Sequence, residues 1–167
     1  MIKKLISDCE QALNHNLYFA ALCLSLVLVD VCAKAEYPEE KNNKKRYVDW
    51  FEKHIEPNGE KLEQVGKEQA RLDPPYLCGE YVYNLRCFML HQGTPNIDEQ
   101  KYDINKFEML LEQNPSFVFS STANTKGDRA LAVNIKGMCM EICAVAKGYY
   151  EKNKDAFNFF NYHLTDL

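Results

Sequence analysis

One predicted helix in the middle of the chain carries most of the side chains that could do chemistry. It lies in residues 74–93, PPYLCGEYVYNLRCFMLHQG, which open with two prolines and close with a glycine. Proline suits the first position of a helix, and glycine suits the position after its end. Within this segment Glu80, Asn84, Cys87 and His91 are spaced by four, three and four residues, which places them in one stripe along the helix. The stripe presents a carboxylate, an amide, a thiol and an imidazole.

Arg86 belongs to the same predicted helix and lies about 140° around its axis from His91. An arginine can hold and neutralise a phosphate group, and a histidine can transfer a proton near neutral pH. Because of the angle between them, we expect the two side chains not to converge within one protomer. They would meet across a two-fold axis, or where the helix unwinds towards Gly93.

Two other kinds of site on this helix use Cys87 and His91, which are four residues apart. They could act as nucleophile and base, or as two metal ligands beside Glu80. Catalytic thiol pairs usually come from different elements, and a zinc site would need a further nitrogen or sulfur ligand. We therefore predict no metal and no cofactor.

The order of helix, Arg86, four residues, His91 and then Gly93 resembles the R-x4–6-H motif of the HEPN superfamily, whose members are helical bundles of this size. The helical hairpin predicted at the start of the chain and an acidic residue on the second predicted helix, Asp30, fit the same pattern. The resemblance covers residues 1–95 and the last predicted helix. It implies a metal-independent endoribonuclease of toxin or defence type, with Arg86 and His91 catalytic. It also implies a homodimer in which two motifs face each other, with RNA as the substrate.

The same residues have a structural interpretation. Arg86 could pair with Asp30 or Glu80, and His91 could cap carbonyl groups at the helix end. A buried Asp30 needs a partner because an unpaired buried carboxylate is costly, whereas near an exposed helix end water would suffice. The protein would then be a non-catalytic helical module that binds a protein partner or a small ligand. If Arg86 and His91 are instead catalytic, Asp30, Glu80, Asn84 and Cys87 would be their supporting residues.

Composition limits the class of protein. The chain has 167 residues, of which 46% are hydrophobic and 26% charged, so we predict a single globular domain over residues 1–167. A net charge of −4 argues against non-specific coating of nucleic acid. Seven cysteines without a CxxC pair indicate free thiols in a reducing cytoplasm.

The apolar run over residues 17–29 is shorter than the roughly 20 residues that span a bilayer, and the N-terminus lacks the apolar region of a signal peptide. We therefore predict a cytoplasmic protein with no membrane segment.

Hydrophobic periodicity predicts a mostly α fold, a four- to five-helix bundle with a small antiparallel β insertion between the fourth and last helices. The predicted helices cover residues 2–14, 17–34, 43–56, 74–92 and 137–152, and the predicted strands cover residues 107–111, 117–119 and 130–135. The helical body would take residues 1–95, the insertion residues 100–135 and an aromatic-rich tail residues 155–167. That tail would fold back on the core or meet a second subunit.

Two other features near the third predicted helix allow alternatives. His54 shares an apolar face with Trp50, which favours a packed core residue over a ligand. A basic run favours a solvated surface, with contact to phosphate as the alternative; it consists of Lys41, Lys44, Lys45 and Arg46.

Overall fold

The computed structural model describes residues 1–55, 77–111, 118–123 and 128–159. The helices in these ranges are α1 (Ile2–Asn14), α2 (Tyr18–Glu36), α3 (Asn43–His54), α4 (Gly79–Gln92) and α5 (Ile135–Lys152). The strands are β1 (Lys106–Leu110), β2 (Phe119–Ala123) and β3 (Arg129–Asn134). The predicted mostly helical fold, with a small sheet between the fourth helix and the last, is confirmed. The polar and weakly periodic segment over residues 58–73, for which the sequence predicts a long loop or a frayed helix, lies outside the described residues.

The central element is α2, which packs against α1, α3, α4 and α5. It is apolar on nearly every side, and Leu22, Leu26 and Val29 have no accessible surface. Its buried Ser25 is satisfied, since the hydroxyl donates to Leu22 O at 2.9 Å and lies 3.3 Å from Cys139 Sγ. By length and hydropathy alone α2 could cross a membrane. Half of its most apolar window (50%) is buried within the described chain, and both the core helix of a soluble protein and a signal sequence pass the same test of length and hydropathy.

The sheet differs from the predicted antiparallel arrangement. Its strand order is β1-β3-β2, with β2 antiparallel to β3 and β1 parallel to β3. The prediction is therefore right for β2–β3 and wrong for β1–β3. The chain places β3 between the two earlier strands because β3 has the most apolar side chains to bury, including Leu131 and Val133. Local periodicity identifies strands but carries no information on which strand takes the central position.

The fourth helix begins later than its prolines suggested. Cys78 is extended, with φ −106° and ψ 167°, and the helix starts at Gly79. The Gly79 N–H donates to Glu52 Oε1 at 2.5 Å, and a Cβ at this position would lie 3.0 Å from both Glu52 Oε1 and Val48 O. The start is therefore set by close packing on α3. The predicted end is confirmed, because Gly93 is left-handed with φ +68° and closes the helix.

The described part of the tail folds back on α5. Phe157 is buried, and its ring lies 5.2 Å from the ring of Tyr150 and 6.0 Å from that of Tyr149, centroid to centroid. It belongs to a short 3-10 helix, Lys154–Phe157. This part of the tail thus covers the protein's own core, while residues 160–167 lie outside the described ranges.

Candidate functional site

The packing of α4 on α2 brings Arg86 onto Asp30. Arg86 Nε donates to Asp30 Oδ2 at 2.9 Å, and the two side chains are 23% and 22% exposed. The pairing hypothesis is confirmed, and the alternative that Asp30 is merely solvated near a helix end is wrong. The ion pair is half-buried and links the central helix to the helix that carries the motif.

Arg86 also reaches His91 within the same protomer, contrary to the prediction. Arg86 Nη1 lies 3.4 Å from His91 Nε2, and the helix stays regular as far as Gln92. The 140° separation applies to the Cβ positions on an ideal helix. The long arginine side chain spans that angle while Asp30 holds its Nε.

The chemistry of the two groups sets the direction of any hydrogen bond between them. A guanidinium offers only N–H donors, so His91 Nε2 can only accept from Arg86. His91 is exposed on the last turn of α4. A substrate at this surface would meet the imidazole next to a fixed positive charge.

Three further side chains surround the guanidinium. Tyr83 lies one turn earlier on α4, with its ring centroid 6.0 Å from Arg86 Cζ. Tyr47, from α3, meets the Tyr83 ring edge-on at 5.4 Å. Cys87 is half-buried, and its thiol interacts with both Tyr83 and Arg86. The sequence analysis predicted neither tyrosine as a site residue. Helical spacing marks Tyr47 only as a core residue.

Tyr47 is unusual among these neighbours. It is completely buried, and its hydroxyl finds no hydrogen-bond partner in the part of the chain that the structure describes. Burial, reinforced by the negative charge of Asp30, raises the pKa of Tyr47 well above its ordinary value. The phenol therefore stays neutral near the ion pair.

Burial and the opposite charge of the partner shift the pKa values of both Asp30 and Arg86. Burial raises the pKa of Asp30, and the charges of Arg86 and Arg46 hold back that rise. Burial alone would lower the pKa of Arg86, but the Asp30 carboxylate and Cys87 together outweigh burial and raise it. Arginine stays charged at any physiological pH. Asp30 is therefore the partner whose ionisation depends on the pair.

The two remaining predicted site residues lie elsewhere. The Glu80 carboxylate pairs with Lys44 Nζ at 2.6 Å, and Asn84 Oδ1 accepts the backbone N–H of Asp98 at 2.6 Å. Glu80 ties α4 to α3, and Asn84 orients the chain that leads to the sheet. Of the predicted stripe, only Cys87 and His91 adjoin Arg86.

The basic run is largely engaged by neighbouring groups. Besides the Lys44–Glu80 pair, Lys45 pairs with Asp49 at 2.8 Å and Glu40 at 3.3 Å, and Arg46 donates to the Glu40 carbonyl at 2.9 Å. These contacts match the solvated-surface interpretation rather than a phosphate site.

All seven cysteines are free thiols, and Cys139 and Cys143 are buried, as core residues should be. Within the described ranges, no three His, Cys, Asp or Glu side chains cluster in a way that could hold a metal ion. Comparison of the chain with models of protein families, with curated proteins and with solved structures gives no match.

Proposed function

We propose that the protein is a metal-independent endoribonuclease of HEPN type that acts at Arg86 and His91. The observation that carries the proposal is the 3.4 Å contact between Arg86 Nη1 and the exposed His91 Nε2. The Asp30 carboxylate holds the guanidinium in place from the other side at 2.9 Å. A group that binds phosphate and a group that transfers protons thus lie next to each other on accessible surface.

In the proposed reaction Arg86 binds a non-bridging oxygen of an RNA phosphate through its terminal N–H groups. His91 Nε2 takes the proton of the neighbouring 2′-hydroxyl while that oxygen attacks phosphorus. The P–O5′ bond breaks, and its electron pair leaves with the 5′-oxygen, which gains a proton from water or from a second histidine. The products are a 2′,3′-cyclic phosphate and a 5′-hydroxyl. Asp30 is a positioning residue, because it acts only through Arg86.

Incubation of the purified protein with RNA in the presence of EDTA tests this proposal. We expect cleavage that leaves 2′,3′-cyclic phosphate ends, and a loss of roughly 100-fold or more in His91→Ala, the usual effect of removing a general acid or base. His15→Ala is the matched control, since His15 is an exposed histidine at the end of α1. Wild-type protein without cleavage, or equal cleavage by His91→Ala, would overturn the proposal.

We also propose that the active form is a homodimer. One histidine supplies one of the two proton transfers, and a second copy would supply the other. Light scattering should give twice the monomer mass at micromolar concentration. Mixing inactive His91→Ala and Arg86→Ala proteins should restore part of the activity if both copies contribute to one site.

The second candidate function is a non-catalytic module that binds a protein partner. The observation in its favour is that the Arg86–Asp30 pair joins α2 to α4 and so has a structural role of its own. Stability measurements on Arg86 variants, made together with cleavage assays, separate the two functions. A stability loss in Arg86→Ala with no RNA cleavage by the wild type would favour the module.

A further inference from the structure

Cys87 differs from the other six cysteines in its surroundings. Cysteines buried among apolar groups are unreactive. The buried cysteines of this chain are Cys9, Cys32, Cys139 and Cys143. Cys23 and Cys78 are half-buried, but burial raises the pKa of both thiols, that of Cys78 to about 11. Cys87 is half-buried beside Arg86, a permanent positive charge, and partly exposed thiols next to a cation are the ones that react.

Hydrogen-bond donors surround the Cys87 sulfur. The thiol interacts with the hydroxyl of Tyr83, whose pKa is raised by burial and raised further by Cys87. It also interacts with the Arg86 guanidinium, which offers only N–H donors. Thiol sulfur is a weak acceptor, so an oxygen atom bound to this sulfur would be a stronger acceptor for both groups.

The Tyr47 hydroxyl is a further donor that faces the same cluster, and it is unused. Tyr47 is completely buried, and its hydroxyl has no hydrogen-bond partner within residues 1–55, 77–111, 118–123 and 128–159. Burial raises the pKa of this hydroxyl, and the charges of Asp30, Arg86 and Cys87 also act on it. A buried polar group without a partner is costly and rare, and a redox or catalytic role is one of its explanations.

We propose that Cys87 is a site of reversible oxidation by hydroperoxides, and that its sulfenic acid accepts hydrogen bonds from the Tyr47 and Tyr83 hydroxyls. The thiolate sulfur attacks the terminal oxygen of the peroxide, so that an S–O bond forms as the O–O bond breaks. The departing alkoxide takes the electron pair of the O–O bond and the proton that left the thiol. Sulfur is oxidised, and the peroxide is reduced to an alcohol, or to water if it is hydrogen peroxide. A small thiol then displaces water to form a mixed disulfide, and a second thiol releases Cys87 as the free thiol.

Hydrogen peroxide is the probe on the purified full chain, and dimedone traps the sulfenic acid that forms. We expect peptide mass spectrometry to find the dimedone adduct on Cys87 at least about tenfold faster than on Cys23 or Cys78. Cys87→Ser should remove this adduct. Cys78→Ser is the matched half-buried control and should keep the wild-type rate at Cys87, since serine suits the position before α4 that Cys78 occupies. No adduct on Cys87, or equal rates at the three half-buried cysteines, would overturn the proposal.

Tyr47→Phe separates the proposed role of the hydroxyl from a role in the fold. Phenylalanine keeps the ring and removes only a hydroxyl that has no partner among the described residues. The melting temperature should therefore stay at or above that of the wild type. The sulfenic acid, measured by adding dimedone at increasing times after peroxide is removed, should decay roughly fivefold faster, the effect of losing one hydrogen bond. A lower melting temperature with an unchanged decay rate would overturn the proposal, because the hydroxyl would then serve only the fold.

Oxidation of Cys87 also bears on the Arg86 site. An oxygen acceptor next to Arg86 would compete with RNA phosphate for the guanidinium N–H groups. This consequence rests on the proposed ribonuclease function, whereas the adduct is detected on the sulfur whether or not the wild type cleaves RNA. Peroxide should lower RNA cleavage by the wild type, and dithiothreitol should restore it. Full cleavage by protein whose Cys87 is oxidised would contradict this consequence.

Discussion

Replacing Arg86 by alanine should lower the free energy of unfolding by about 1–3 kcal/mol. The change removes the counter-charge of Asp30, which is linked to Arg86 Nε at 2.9 Å. Breaking a fully buried ion pair costs about 3–5 kcal/mol, and an exposed pair contributes about 0–1 kcal/mol. The side chains are 23% and 22% exposed, so the loss should fall between these limits. Water can reach Asp30 in part and reduces the cost of leaving it unpaired.

Thermal and urea denaturation, followed by circular dichroism, measure this loss. For a domain of this size about 2 kcal/mol corresponds to a fall in melting temperature of roughly 4–8 °C. A double-mutant cycle with Asp30→Ala isolates the pair, since the alanine pair leaves neither charge buried without its partner. We expect the double variant to be more stable than the sum of the two single losses predicts.

Arg86→Lys separates the structural role from the proposed catalytic one. Lysine keeps a positive charge near Asp30 but lacks the planar fork that contacts Asp30 and His91 together. Stability should therefore stay closer to the wild type than in Arg86→Ala, whereas RNA cleavage should fall as far as in the alanine variant. A loss below about 0.5 kcal/mol in Arg86→Ala, the usual range for surface changes, would refute the electrostatic reasoning. So would strictly additive effects in the cycle.

Two further predictions concern other parts of the molecule. Burial alone would raise the pKa of Glu36, but hydrogen bonds with Lys53 and His54 lower it below its ordinary value of 4.5. That stabilisation is complete above this pH and is lost as the pH falls through the folded-state pKa, so urea midpoints of the wild type and Glu36→Gln should converge on acidification. Gly93→Ala should cost about 1 kcal/mol in the same assay, since alanine disfavours the left-handed conformation at φ +68°. Gly93→Asn should cost less, and an equal loss would contradict this explanation.

The helices could be predicted from sequence because their signals are local. Apolar spacing defined α1 to the residue, and the glycine after α4 marked its end. The start of α4 could not be predicted, because it depends on the contact of Gly79 with Glu52 of a different helix. The central position of β3 likewise depends on what the finished sheet buries. Both are tertiary effects that a pattern within one segment does not contain.

The candidate site was predictable in part of its residues, namely Arg86, His91, Asp30 and Cys87, but not in its two tyrosines or its geometry. Spacing on an ideal helix separates Arg86 from His91, and it groups His91 with Glu80 and Asn84. In the folded chain Arg86 contacts His91, whereas Glu80 and Asn84 bind other groups. A long side chain can turn towards its interaction partner and away from the angle that its residue has on the helix. Asp30, 56 residues earlier, draws the guanidinium to one side. Lys44, 36 residues before Glu80, draws that carboxylate to another.

Asp30 therefore affects Arg86 in two ways. It stabilises the contact between α2 and α4, and it holds the guanidinium where Nη1 meets His91. Burial raises the pKa of this aspartate even beside Arg86, so a neighbour without a permanent charge would leave that pKa higher still. An arginine, which stays charged, limits the rise and is in turn oriented by the carboxylate. A requirement for stability and one for phosphate binding would therefore select the same residue at position 86, which is why only paired measurements of stability and cleavage distinguish them.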